Sequence, residues 1–195
     1  MTRAACGRQP ALFVYLCMRH AYNVCMTDDR TANLLGALAL ALADSMSQEA
    51  ETRAAHGAAA PAAIVSVGVA PGCSIDALAR TIGLSHSATV RIVDRLAADG
   101  LVERRGGADR RAVGLHLTRR GVARRRAILK GRAEILTRAL GPLSEEDRAA
   151  LTAHLETILG AFTRDRRHAD HICRLCDEDV CPHERCPVER AVSKP

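Results

Sequence analysis

Apolar side chains recur at helical spacing along most of the chain. Leu34, Leu38, Leu42 and Met46 come every four residues and place an apolar stripe on a helix that runs to about His56. A short helix begins near Pro61 and ends before Pro71 and Gly72. Near the C-terminus, another stripe predicts a helix that carries Leu151, Leu155, Ile158, Leu159 and Phe162. These periods predict a mainly helical protein.

Two helices joined by a tight turn are predicted between residues 74 and 100. Ser74 or Asp76 caps the first helix, Gly83 ends it, and Ser85 caps the second. In the second helix, one face has apolar spacing and is predicted to be buried, with Thr89, Ile92, Val93 and Leu96. The opposite face carries Ser87, Val90, Arg91 and Asp94. This order is typical of a helix-turn-helix, although any pair of packed helices can show it.

The segment that follows predicts a β-ribbon and two further helices. Strands are expected over 101–105 and 112–117, with a turn over 106–109 between them. A ribbon with an arginine-rich tip directly after a helix-turn-helix is a wing. Thr118 then begins a long helix that ends near Gly141, and Ser144 begins the last one with a pattern that resembles a capping box. The expected fold class is mainly α with a small β-wing, a winged helix-turn-helix flanked by N- and C-terminal dimerisation helices.

Length and composition favour one compact domain with appendages. A chain of 195 residues with two Tyr, two Phe and no Trp builds its interior mostly from small aliphatic side chains. We expect an irregular N-terminal extension over 1–30, a winged-helix domain over 31–163 and a cysteine-rich tail over 164–195. Because the regular pattern begins only after Met26, we hypothesise that Met26 is the true start; a native peptide that reads through it would refute this.

Positive charge is concentrated in the middle of the chain. The net charge is +6, but residues 84–138 carry fourteen Arg and Lys against five Asp and Glu. Such a region suits a surface that faces phosphates, while an isolated run of charge is more often just a solvated face. No apolar run reaches the roughly 20 residues of a membrane span, and no signal-peptide pattern precedes Met26. We therefore expect a cytoplasmic protein without a membrane partner.

Residues 74–121 resemble the multiple antibiotic resistance regulator (MarR) family of winged-helix transcription factors. The resemblance is carried by the ordered segments IDALA from Ile75, LSHSATVRIVDRL from Leu84, GLV from Gly100 and DRR from Asp109, then by Leu117, Thr118 and Gly121. With the flanking helices it covers about residues 30–163. It implies a homodimer whose recognition helices enter successive major grooves of a pseudo-palindromic double-stranded DNA site, and whose wings reach the minor grooves. It also implies a small-molecule effector, bound between the dimer helices and the winged lobe.

The resemblance assigns candidate DNA contacts residue by residue. Arg91 is the best candidate for a bidentate contact to guanine, and Arg110 is expected in the minor groove. Asp109 is expected to stabilise the wing by pairing with Arg111. The full candidate set for DNA binding is Ser85, Ser87, Val90, Arg91, Arg95, Arg104, Arg105, Arg110 and Arg111. For four arginines on the wing and at the start of the helix after it, phosphate contact and simple solvation are equally good interpretations; they are Arg104, Arg105, Arg119 and Arg120.

Four cysteines close to the C-terminus are an addition that the family pattern does not need. Cys173, Cys176, Cys181 and Cys186 have the spacing C-x2-C-x4-C-x4-C, which lets one short loop surround a tetrahedral zinc ion. An iron–sulfur cluster is an alternative, and so is a thiol switch without any cofactor. Single-stranded nucleic acid is an unsuitable ligand, because the loop lacks an aromatic residue for base stacking.

These observations favour a DNA-binding transcriptional regulator, of which repression is the commoner mode, with a metal or redox loop. The rival interpretation is a metal- or iron–sulfur-carrying protein whose winged helix mediates protein contacts. An enzyme is the weakest interpretation, because no catalytic triad, phosphate loop or pair of carboxylates is recognisable. The operator, the effector and the ion or bond at the cysteines are not determined by the sequence.

Overall fold

The computed structural model describes residues 30–106 and 113–193. Its contacts divide the chain into two units, residues 1–41 and 42–195. The described part of the first unit is the beginning of helix α1 (Arg30–Ala54), where Leu34, Leu35, Leu38 and Leu40 are exposed. Among the described helices, none combines the length and apolar character needed to cross a bilayer.

The core of the second unit surrounds helix α2 (Ala60–Val69). Its first eight residues are all buried, with Ile64 and Val65 fully inaccessible. Pro61 occupies the first turn as predicted, where a missing backbone N–H costs no helical hydrogen bond. This helix packs against α3 (Ile75–Ile82), α4 (His86–Ala98), the wing and the long helix that follows the wing.

The predicted helix-turn-helix is confirmed in its helices, caps and buried face. Ser74 Oγ accepts a hydrogen bond from Ala77 N at 3.1 Å and begins α3. Gly83 ends α3 with a φ of +72°, the left-handed conformation that glycine adopts without strain. In α4 the buried residues are the four predicted from the spacing: Thr89, Ile92, Val93 and Leu96.

Two antiparallel strands, β1 (Val102–Gly106) and β2 (Val113–Leu117), form the wing. Their register pairs Val102 with Leu117 and Gly106 with Val113. The first strand therefore lies one residue later than predicted. Leu101 is excluded from it because its N–H bonds back to Leu96 O at 2.8 Å.

Five further elements complete the second unit. Helix α5 (Arg119–Leu140) is capped by Thr118 and α6 (Glu145–Phe162) by Ser144, as predicted. Ser144 Oγ also donates to Asp147 Oδ2 at 2.6 Å, so the pattern resembling a capping box is made between side chains. The tail contains α7 (Arg166–Cys173), a 3-10 turn (His183–Arg185) and α8 (Pro187–Val192).

The predicted inward face of α5 is only partly confirmed, and the predicted apolar stripe of α6 is largely exposed. Ile128 and Leu129 of α5 are buried, but Val122 and Leu140 are exposed. No residue of α6 is buried, and Leu155, Ile158 and Phe162 on its apolar stripe are exposed. The spacing correctly identifies an apolar face on α6, and of its side chains Leu159 packs against the tail, beside Ala169, Cys186 and Val188.

Candidate nucleic-acid interface and cysteine cluster

Helix α4 presents a polar and basic face to solvent. Ser87, Arg91 and Arg95 are exposed and follow one another at four-residue intervals, so they form a stripe along the helix. Val90 is half-buried beside them. Because the opposite side packs into the core through Leu96 and its neighbours, this stripe is available to a ligand.

The start of α4 is fixed by two interactions. Ser85 Oγ accepts from Ala88 N at 3.2 Å, which confirms its predicted role as N-cap, and it lies 3.3 Å from Ser87 Oγ. His86 Nδ1 lies 2.6 Å from Asp76 Oδ1 and so joins the two helices of the motif. The sequence analysis missed this second pair, since a single histidine and a single aspartate ten residues apart give no recognisable pattern.

An ion pair joins the wing to α4. Arg104 Nη2 lies 2.7 Å from Asp94 Oδ1 on the outer face of α4. On the same strand, Arg105 Nε donates to Glu103 Oε1 at 3.0 Å. Two of the four arginines predicted as phosphate contacts are thus paired within the chain, and Arg104 also orients the wing. The other two, Arg119 and Arg120, are exposed. Three more predicted residues, Asp109, Arg110 and Arg111, lie outside the described residues.

The tail adds basic side chains next to the turn of the helix-turn-helix. Arg164 and Arg167 line one surface depression together with Arg80 and Gly83. Both tail arginines are exposed, whereas their neighbour Arg166 is held by Asp170 and Glu189. The sequence analysis missed this group because its basic region stopped at residue 138.

Contacts along α7 and just beyond it hold the tail against the winged helix. His171 Nδ1 donates to the carbonyl oxygen of Thr81, the penultimate residue of α3, at 2.9 Å. Leu175, between the first two cysteines of the tail, packs against the main hydrophobic core. Arg174 Nη1 donates to His171 O at 2.6 Å and closes the end of α7. The ring of His171 is half-buried against the turn at Gly83.

A second ion pair stabilises the tail internally. The guanidinium of Arg166 donates to both carboxylate oxygens of Glu189 at 2.6 Å. This bidentate geometry lowers the pKa of Glu189 and raises that of Arg166, since each group stabilises the charged form of the other. The pair fixes α8 to the start of α7.

The four tail cysteines are neighbours in space. The Cys173 side chain interacts with those of Cys176 and Cys186, and Cys181 interacts with Cys186, so the contacts connect all four thiols in one series. A small apolar cluster surrounds them, centred on Ala169, Cys186 and Val188. We define these four thiols as the cysteine cluster.

Hydrogen bonding distributes charge unevenly within the cysteine cluster. Donation from Cys173 lowers the pKa of the Cys176 thiol to about 6, with help from the positive charge of Arg132. The same hydrogen bond, then burial, raise the pKa of Cys173. Burial raises the pKa of Cys181 to about 11. These shifts describe one thiolate, at Cys176, that is stabilised by a hydrogen bond from the neighbouring Cys173 thiol.

Across residues 30–106 and 113–193, no group of three or more His, Cys, Asp or Glu side chains could hold a metal ion as it stands. The five described cysteines are all free thiols. Cys73, the one outside the cluster, pairs with Leu115 of the wing through an isolated β-bridge. The zinc, iron–sulfur and thiol-switch alternatives for the cluster therefore stay predictions.

A cavity of about 500 Å³ lies between α2, α3 and the tail. Its lining includes Ser66, Cys73, Leu78, Arg166 and Cys173. Ser66 Oγ is buried and has no hydrogen-bond partner in the described part of the chain. A buried hydroxyl without a partner is unfavourable unless water or a ligand reaches it.

Comparison with known proteins agrees with this geometry. Residues 59–112 match the sequence model of the MarR family. That segment contains α2, the helix-turn-helix and the first strand of the wing. A comparison with curated proteins gave no match.

Three solved structures show the shared fold. The YusO protein from Bacillus subtilis is 24% identical, with a TM-score of 0.54 over 76% of this chain and 99% of that chain. MepR, a transcription regulator of the Staphylococcus aureus multidrug efflux pump MepA, is 16% identical, with a TM-score of 0.59 over 68% and 98%. FabT from Streptococcus pneumoniae, solved in complex with DNA, is 19% identical, with a TM-score of 0.55 over 67% and 94%.

The predicted resemblance and the predicted fold class are both confirmed. The family match is confined to part of the chain, whereas the structural likeness extends over two thirds of it or more. Residues 59–112 are thus similar to the MarR family, and the winged-helix fold that they belong to extends beyond them.

Proposed function

We propose that the protein is a sequence-specific DNA-binding transcriptional regulator that acts as a repressor. One observation carries the proposal: the exposed stripe of Ser87, Arg91 and Arg95 stands on a helix fixed to the wing through Asp94 and Arg104. A rigid helix with an adjoining ribbon can present this stripe to the major groove while the wing follows the backbone. DNA-bound FabT has the same fold.

Arg91 supplies base recognition in this proposal. Its planar guanidinium can donate two parallel hydrogen bonds to guanine, a contact worth about 1–3 kcal/mol in discrimination between bases. Exposed arginines that only meet phosphates contribute affinity without sequence preference. Replacing Arg91 should therefore remove specificity, not merely weaken binding.

A binding selection tests this assignment directly. The protein selects duplexes from a random-sequence pool, and fluorescence anisotropy then measures the affinity of the parent and of Arg91→Ala for the enriched duplex. We expect about 10- to 100-fold weaker binding and a flattened preference at one base pair. Arg138→Ala, at the exposed end of α5, is the matched control and should bind as the parent does. Unchanged preference in Arg91→Ala would overturn the role of Arg91, and failure to enrich any duplex would overturn the function.

We also propose a homodimer, supported by the exposed apolar face of α6. Leu155, Ile158 and Phe162 expose 42%, 47% and 67% of their surfaces and lie on one face of the helix. Contiguous exposed apolar side chains of this kind mark interaction sites. Light scattering should give twice the chain mass for the parent and a smaller mass for Ile158→Glu. Full dimerisation of that variant would contradict this placement of the interface.

A small-molecule effector completes the proposed regulation. The cavity between α2, α3 and the tail suits a ligand with an apolar body and one polar group directed at Ser66. Since α3 is the first helix of the helix-turn-helix, a ligand there acts on the DNA-binding element itself. Loss of effector response in Ser66→Ala, with DNA affinity unchanged, is the expected result.

A further inference from the structure

We infer that Cys173, Cys176, Cys181 and Cys186 bind one Zn²⁺ ion, and that this ion holds α7 against the helix-turn-helix so that Arg164 and Arg167 join the DNA-binding surface. The first step concerns metal binding alone. The second rests on the proposed function in DNA binding.

The contacts of the cysteine cluster support a single tetrahedral site. Zn–S bonds of about 2.3 Å at tetrahedral angles place sulfur atoms about 3.8 Å apart. Cys186 belongs to the small apolar cluster of the tail, and Cys173 and Cys181 pack against that cluster. Cys176 N donates to Cys173 O at 2.8 Å, which brings the fourth cysteine to the same place. The described arrangement is not a finished metal site, so the loop must close further around the ion.

The surroundings of the cluster are compatible with a negatively charged zinc site. Zn²⁺ bound by four thiolates forms a site with a net charge of −2, and every thiol that is still protonated must release its proton on binding. Arg132 of α5 and Arg185 of the 3-10 turn lie near enough to stabilise that charge, while Asp177 and Glu178 oppose it. A set of four soft sulfur ligands, without an oxygen ligand or an open position, is typical of structural zinc.

The fold shows what such an ion would hold in place. Cys173 is the last residue of α7, and Leu175 inside the first cysteine pair packs on the main core. Two residues before Cys173, His171 donates to Thr81 O of α3. An ion that holds the loop in place therefore also holds α7 in contact with the helix-turn-helix.

The other end of α7 then lies where DNA would pass. Arg164 and Arg167 border the same depression as Arg80 and Gly83 at the turn before the recognition helix. Their side chains are exposed, and no acidic side chain pairs with them among the described residues. Basic side chains at this position add phosphate contacts, which increase affinity in a salt-dependent way.

Metal stoichiometry tests the first step without reference to DNA. The full chain carries Cys6, Cys17 and Cys25 as serines, so that only described thiols remain, and it is reduced, loaded with Zn²⁺ and desalted. One zinc per chain is expected, both in this protein and in a Cys73→Ser control. When Co²⁺ replaces Zn²⁺, the protein should show the visible spectrum of Co²⁺ bound tetrahedrally by thiolates. Cys176→Ser and Cys186→Ser should each bind Zn²⁺ more than about 100-fold more weakly. A loss of that size exceeds the one expected when the replaced residue only contacts a ligand of the metal. Retention of full affinity in both variants, or isolation of the anaerobic protein with iron and a brown colour, would overturn the zinc site.

Salt dependence of DNA binding tests the second step. Each phosphate contact changes the slope of log K against log[salt] by about 0.9, so losing two contacts makes the slope shallower by about 1.8 per chain. We expect this change in zinc-loaded Arg164→Ala/Arg167→Ala, and a similar one in Cys176→Ser. Arg148→Ala, exposed on α6, should leave the slope unchanged. An unaltered slope in the double arginine variant would overturn the role of α7 and leave the zinc site intact.

The two proposals fail in distinguishable ways. If the zinc-loaded parent binds one ion but enriches no duplex, the DNA-binding function fails and the metal site stands. If the parent enriches a duplex through Arg91 but binds no zinc, the metal site fails and the regulator stands. His171→Ala separates the steps further, since it should keep one zinc per chain while reducing affinity for DNA about tenfold.

Discussion

Replacing Gly83 with alanine tests whether the tail packs against the turn of the helix-turn-helix. The φ of +72° costs a residue with a Cβ about 1–2 kcal/mol. The new Cβ would also lie 3.0 Å from Cε1 and 3.3 Å from Nδ1 of His171. Because the hydrogen bond to Thr81 O holds that ring, we expect about 1 kcal/mol more from overpacking. Gly83→Ala should therefore lower the free energy of unfolding by about 2–3 kcal/mol.

Gly100→Ala is the matched control for the backbone contribution. Gly100 has a similar φ of +64°, but a Cβ there would meet only the end of the Arg120 side chain, at 3.5 Å. It should cost only the backbone contribution of about 1–2 kcal/mol. Urea unfolding at one fixed chain concentration measures both variants, since a dimer's stability depends on concentration. Equal losses for the two glycines, or no change in the difference when His171 is replaced by alanine, would refute the contact.

Three further changes follow from caps, core and charge. Ser85→Ala removes the N-cap of α4 and should destabilise the protein by about 1 kcal/mol in urea unfolding, whereas Ser85→Asp should not. Leu96→Ala empties a site that is 1% exposed and should cost about 2–5 kcal/mol by the same assay. The pKa of Glu189 is lowered by Arg166, so its contribution is present above the ordinary carboxyl value of 4.5 and is lost as pH falls through the lower folded value. Glu189→Gln should thus cost about 1 kcal/mol or less near neutral pH and nothing in strong acid; a pH-independent difference would contradict the pair.

The winged-helix lobe was predictable because short-range signals determine it. Ser74 and Ser85 satisfy the first free N–H groups of their helices whatever surrounds them, and Gly83 allows the left-handed end of α3. The apolar period of α4 then leaves a single face to bury. Local sequence signals and tertiary packing favour the same structure here, so the sequence alone predicts the helices and their caps.

Contacts between distant residues could not be found in the same way. The His171–Thr81 hydrogen bond spans 90 residues and the Arg104–Asp94 pair spans ten. Neither pair stands out from other charged or polar residues until the chain is folded. Apolar spacing on α6 likewise shows that a face is apolar without showing what covers it. Leu159 packs against the tail, while Leu155, Ile158 and Phe162 are exposed.

For the cysteine cluster, spacing in the sequence predicts some features and only the fold shows the others. Spacing alone indicated that four thiols can surround one ion, and the thiols do adjoin one another. What the spacing could not show is that the loop begins at the helix that contacts Thr81. If a flexible linker joined the tail to the winged helix, the state of the four thiols would not change the affinity for DNA. Since α7 contacts the turn before the recognition helix, occupation of the cluster and binding of DNA should influence each other reciprocally, so that DNA raises the affinity for zinc as much as zinc raises the affinity for DNA.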